Sequence, residues 1–233
     1  MKRHAFSLVA AMLAACTPSP PPSTTESSPQ PETAATAAVE PQFFLGTEAT
    51  HSRFSRTIAP VLTVPSGSVV EVTTEEASDG QLVADSTAAD VATLDFDRIH
   101  PLTGPIAVEG AEPGDVLAVT LHELEVLDYG WVAVSPGFGW LAAEFPDAYI
   151  KTFRFEEGAT AVRFSDRISI PLAPFAGVMG VAPDTDELLS TIPPRANGGN
   201  MDNKYLTAGT TVYFPVFVAG ANFSIGDTHA VQG

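Results

Sequence analysis

Two clusters near the end of the chain carry the residue types that do chemistry: Gly198-Gly199-Asn200-Met201-Asp202 and Gly226-Asp227-Thr228-His229. Asp227 and His229 stand one residue apart, which sets both side chains on one side of an extended backbone. Residues 206–216 between the clusters read as a turn and one buried strand, whose two ends could fold back and bring Asp202 to Asp227 and His229. Two carboxylates and a neutral imidazole make a three-ligand site for zinc or a similar divalent ion, with one position left for water. The plain alternative is that the Gly-Asp pairs are turn residues and His229 a surface side chain. No HExxH or CxxC spacing decides between the two.

A second cluster lies upstream in LDFDRIHPLTGPI (94–106), where Asp95, Asp97 and His100 project from a loop that leaves a strand. Glu109 opens the acidic connection EGAEPGD (109–115), which closes on a Gly-Asp turn. SPGFGWL (135–141) is a Gly- and aromatic-rich loop in which Phe138 either lines a small apolar pocket or serves as a packing plug. Glu144 or Asp147 follows as a candidate general base. His51 lies in an early strand with Arg53 and Arg56 nearby and is expected at the surface, while His122 is expected packed or at an edge in mid-strand.

The elements that must hold these residues are strands. Segments 68–74, 115–124, 159–164, 168–172 and 210–218 are short, β-branched and bounded by Gly, Pro or Asp. Prolines recur through the folded part and leave little room for helices. Residues 84–92 are the one helical candidate, rich in Ala and Asp but weakly amphipathic, and 184–189 could add a turn. The fold class is therefore all-β, β-rich with long irregular loops and at most one or two short helices.

The start of the chain is organised differently. Lys2 and Arg3 precede a short apolar run, and Leu13-Ala14-Ala15-Cys16 resembles the lipobox of bacterial lipoproteins. The resemblance implies a signal peptide over residues 1–15, cleavage before Cys16 and a lipid anchor on its thiol. Cys16 is the sole cysteine, so no disulfide forms within the chain and no free thiol remains for catalysis. Residues 16–40 are mostly Pro, Ser, Thr, Ala and Glu, too poor in large apolar groups to offset the entropy of ordering, and are expected to form a disordered tether. Extended, it would reach on the order of 70 Å from the membrane. Thr17 after the lipidated cysteine favours the outer membrane, facing the periplasm. Loss of Lys2 and Arg3 takes the formal charge from −17 to −19, which excludes nucleic acid as a partner.

The folded region, 41–233, resembles the acetamidase/formamidase family. HPLTGPIAVEGAEPGDVLAVTL (100–121) carries the most specific match, joined by PGFGWL (136–141), GVMGVAP (177–183), GGNMD (198–202) and GDTHAVQG (226–233). The resemblance implies a metal-associated enzyme that hydrolyses short linear amides to a carboxylate and ammonia, with formamide or acetamide as the type of substrate. It gives His100 and Glu109 roles as ligand or proton-handling group. In the family the run after GD.HA.QG continues with an acidic DGE and further strands, so the chain is expected to be a C-terminally truncated form.

Amide hydrolysis needs a cysteine, a serine or a metal-activated water. Lipidation removes the cysteine, no GGSSGG-like loop offers a Ser-Ser-Lys arrangement, and no G-x-S-x-G elbow is present. Composition alone leaves a Ser-His-Asp triad open, and a metal-activated water is the chemistry favoured. With the family resemblance, the expectation is an ion on Asp202, Asp227 and His229, with His100 as a further ligand, Glu109 or Glu144 as general base, and Phe138 and Asn200 in the substrate pocket. The alternative is a non-catalytic envelope lipoprotein that binds a small ligand or ion on an amidase-like fold. The identity of the amide and of the ion, and the assembly of the chain as a monomer or homo-oligomer, are not legible.

Overall fold

The computed structural model describes residues 40–126 and 128–232. The expected signal peptide, the lipidated Cys16 and all of the expected tether except Glu40 lie outside the described residues. Residues from Val39 onward form one compact unit.

That unit is all-β. In chain order its strands are β1 (Phe43–Leu45), β2 (Thr50–His51), β3 (Arg53–Phe54), β4 (Leu62–Val64), β5 (Val70–Val72), β6 (Leu102–Val108), β7 (Val116–Thr120) and β8 (Tyr129–Val134). The second half adds β9 (Tyr149–Arg154), β10 (Ala161–Ser165), β11 (Ile168–Pro171), β12 (Phe175–Gly180), β13 (Leu189–Ser190), β14 (Gly198–Asn200), β15 (Thr211–Pro215) and β16 (Phe223–His229). The helix expected over 84–92 shrinks to α1 (Ala88–Val91), because Val91 is its one buried side chain. No helix among the described residues is long and apolar enough to cross a membrane.

The centre is a six-stranded sheet in the order β14-β12-β16-β6-β2, with β4 sharing the outer edge of β6. All its pairs are antiparallel except β4 with β6. Both faces are covered. Ala176, Met179, Phe223 and Ile225 pack with Phe214, Val216 and Leu206 on one side, and Val178 and Leu102 meet Phe54 on the other. The second face carries a row of register partners running Asn200, Val178, Gly226, Leu102, His51. The register between β6 and β16 slips by one residue near Gly104. A Cβ at Gly104 would stand 2.8 Å from Ser224 Oγ, and its φ of +134° is open to glycine alone.

Several expectations are corrected here. β6, β12 and β16 occupy segments that are not among the expected strands, because they are buried on both faces and show no period-2 alternation. The strand expected to bridge the two site clusters, now β15, instead pairs with β7 in a separate two-stranded sheet. The strand expected over 115–124 stops at Thr120, so His122 is an exposed residue beyond its end. His51 is not a surface residue: it is half-buried, with Nδ1 2.6 Å from Arg53 O and Nε2 2.9 Å from Ser224 Oγ. Burial lowers its pKa, against the hydrogen bond to the Arg53 carbonyl.

Candidate functional site

Three neighbouring strands assemble the site. β12 lies between β14 and β16, so residues leaving the end of β14 and residues closing β16 face each other across Gly177. The Gly177 carbonyl accepts the N–H of Met201 at 3.0 Å and of Asp202 at 3.1 Å, which pins the turn carrying Asp202 to the centre of the sheet. A Cβ at Gly177 would lie 2.7 Å from both Cδ2 and Nε2 of His229, so the imidazole occupies the space that any other residue would fill. On β12 two residues earlier, the Phe175 ring stacks on His229 with centroids 4.5 Å apart. Asp202 and Asp227 both adopt left-handed backbone angles, with φ of +44° and +49°. Aspartate tolerates this region better than most residues, at a cost of about 1–2 kcal/mol each, and such positions gather at functional sites.

The result is a tight donor set. His229 Nε2 is 3.4 Å from Asp202 Oδ1 and 3.3 Å from Asp227 Oδ2, and one donor atom from each of the three residues lies within 4.8 Å of the others. Asp227 is largely buried, with 12% of its side chain exposed, whereas 49% of Asp202 is open to solvent. Burial pulls the His229 imidazole down, but its hydrogen bonds to Asp202 and Asp227 and their charges outweigh that and push its pKa up to about 9. A site that favours an extra proton between two carboxylates is one that favours a cation. Two carboxylates and an imidazole also supply the mixed oxygen and nitrogen donors that a divalent ion such as zinc takes. The residues present therefore fit a metal.

His100 stands beside this group. Its Nε2 is 3.8 Å from Asp227 Oδ2, so one carboxylate oxygen faces two imidazoles. Its backbone is fixed by a residue that sequence reasoning missed: the buried Thr191 hydroxyl accepts from His100 N–H at 2.6 Å and donates to Ile99 O at 2.8 Å. No motif marks Thr191, because its role depends on a contact between residues 91 apart. Asn200, at the end of β14, donates from Nδ2 to Ile192 O at 2.9 Å.

The other candidates are not brought here. Glu109 is exposed at the far end of β6, and that seven-residue strand separates it from His100 by roughly 23 Å. A general base must reach the proton it takes within hydrogen-bond distance, so Glu109 does not serve this site. Glu144 is exposed in the turn closed by its N–H to Leu141 O, and no hydrogen bond or ion pair among the described residues joins it to the cluster. Phe138 is 57% exposed and its ring meets Phe96 at 5.4 Å rather than the carboxylates.

This architecture belongs to a recognised family. The sequence profile of the Acetamidase/Formamidase family matches residues 39–190 and 185–233, and the chain is a member of that family. It is similar to the acetamidase of Mycolicibacterium smegmatis, at 30% identity over 78% of this chain and 60% of that protein. It is also similar to the formamidase of Methylophilus methylotrophus, at 28% identity over 78% of this chain and 58% of that protein. Among solved structures, the acetamidase from Bacillus halodurans superposes with a TM-score of 0.75 at 33% identity, over 82% of this chain and 63% of that one. The gamma lactamase from Delftia acidovorans gives 0.74 at 26% identity, over 78% and 58%. The chain thus spans about three fifths of the length of the curated relatives it matches.

Proposed function

We propose that this chain hydrolyses a short linear amide, of the formamide or acetamide kind, to a carboxylate and ammonia. The observation that carries the reading is the convergence of Asp202, Asp227 and His229 with the His100 imidazole alongside, in a family whose named relatives are acetamidases and formamidases. Asp202, Asp227 and His229 would hold a divalent ion, and we propose zinc. When bound, the ion supplies Lewis acidity toward the amide carbonyl and toward a water.

The remaining work falls to the chain's own side chains. Asp227 Oδ2 faces His100 Nε2, which favours the ring tautomer with its proton on Nε2 and leaves the Nδ1 lone pair free. Among the described residues His100 Nδ1 is buried and has no hydrogen-bond partner. In this reading Nδ1 takes the proton that water gives up on attack, and Asp227 stabilises the imidazolium so formed. The same atom then returns that proton to the departing nitrogen, which leaves as ammonia when the carbon–nitrogen bond breaks. This gives to His100 the proton transfer that the sequence reading assigned to Glu109 or Glu144. We also propose that a lipid on Cys16 holds the enzyme at the outer membrane, facing the periplasm.

The test is ammonia release from formamide and acetamide by the full chain, with zinc added and then chelated. Release that stops on chelation, and is absent from Asp202→Ala, Asp227→Ala and His229→Ala, is expected. Protein that binds zinc at this trio yet releases no ammonia would overturn the hydrolase reading in favour of a binding lipoprotein.

A further inference from the structure

Among the described residues, two buried side-chain polar atoms have no hydrogen-bond partner: His100 Nδ1 and Asn200 Oδ1. One short segment holds both residues. Thr191 fixes the His100 backbone, and the carbonyl of the next residue, Ile192, accepts from Asn200 Nδ2. That second bond settles which way the Asn200 amide points, since the reversed orientation would set one carbonyl oxygen against another. The unpaired atom is therefore an acceptor. Asn200 also stands close to the ligand candidates along the chain: it precedes Asp202 by two residues, and its register partner Val178 adjoins Gly177, whose carbonyl accepts the Asp202 N–H.

A buried acceptor with no donor is costly unless an incoming molecule supplies one. The leaving nitrogen of an amide must approach His100 Nδ1 to receive its proton, and an unsubstituted amide nitrogen carries N–H groups. Resting on the amide-hydrolase reading, we propose that Asn200 is a specificity-determining residue whose Oδ1 accepts an N–H of the substrate carboxamide. Its partner is then the leaving group itself. An ester presents oxygen lone pairs at the same place and meets Oδ1 with repulsion, so the site selects amides over esters of the same acyl group. The N–H bond is made without the acyl carbon, so it discriminates on the nitrogen side and leaves the acyl chain to other contacts.

The experiment compares acetamide with methyl acetate on the metal-loaded full chain, with Asn200→Ala and the milder Asn200→Ser. Both variants are first checked by thermal melting and zinc content. The expected result is a loss of about 10- to 100-fold in kcat/KM for acetamide and less than about threefold for methyl acetate. Equal losses on both substrates would make Asn200 a structural residue and overturn the proposal, as would no loss on acetamide. Equilibrium binding of acetamide, followed by titration calorimetry, separates this inference from the hydrolase reading. Binding that is weakened in both variants, in a wild-type chain that does not turn over, would sustain the inference while the hydrolase reading falls. Binding that is unchanged in the variants, or absent from the wild type, would overturn the inference.

Discussion

Replacing Gly177 by alanine adds one methyl group at the point where the site is tightest. The backbone of Gly177 is not in the left-handed region, so the substitution tests space rather than backbone freedom. The new Cβ would stand 2.7 Å from His229 Nε2, His229 Cδ2 and Asp227 O. Carbon atoms settle near 3.5–4.0 Å, so the ring or the strand must yield by roughly 1 Å. The Phe175 ring already stacks on the imidazole, which limits the escape routes. A shift of the strand would carry Asp202 with it, because the Gly177 carbonyl anchors the N–H groups of Met201 and Asp202. One methyl group therefore disturbs all three donors. Overpacking of this kind costs about 1–3 kcal/mol of stability, and misplaced ligands lower metal affinity by about 10- to 100-fold. Zinc titration with a competing chelator and thermal melting of the metal-free protein read the two effects apart. A Gly177→Ala protein that binds zinc within about threefold of wild type, and melts at the same temperature, would refute the packing argument.

The metal-free protein should lose stability as pH rises. The folded pKa of His229 is raised to about 9 from an ordinary 6.5, so its charged form stabilises the fold fully below about pH 6.5 and ceases to do so as pH passes through about 9. Half-exposed Asp202 is screened by solvent, which brings the contribution to on the order of 1–2 kcal/mol. Urea midpoints of chelated protein at pH 6, 7.5 and 9.5 should fall in that order, and a flat or rising series would contradict the assignment. Thr191→Val keeps the side-chain shape but strands His100 N–H and Ile99 C=O, at a cost of about 2–4 kcal/mol. Thr191→Ser should restore most of the lost melting temperature, and equal behaviour of the two variants would remove the hydroxyl from the account. Cys16→Ser should move the protein from the membrane to the soluble fraction of cells, and continued sedimentation with membranes would discard the lipid anchor.

The sequence by itself determined the fold class and the family. Short β-branched runs punctuated by Pro and Gly leave little room for helices, and they mark β5, β7, β10, β11 and β15 within a few residues. Those are strands with one face toward solvent, and they alternate because each face meets a different medium. The central strands carry no such signal. β12 is FAGVMG with every residue buried, and a strand between two cores has no reason to alternate. The residue types at Asp202, Asp227 and His229 were also legible, and Asp227 and His229 do meet. What brings Asp202 to them was not legible. β15 lies in a different sheet, and the meeting is made by β14 and β16 flanking β12, a pairing across long stretches of sequence. Glu109 shows the opposite failure, since a carboxylate nine residues from His100 reads as near in sequence but stands a strand's length away. The roles of Gly177 and Thr191 were decided by tertiary structure alone. The first works by the absence of a side chain beside His229 and the second by a hydroxyl reaching a distant backbone, and neither a missing Cβ nor a long-range hydrogen bond leaves a pattern along the chain.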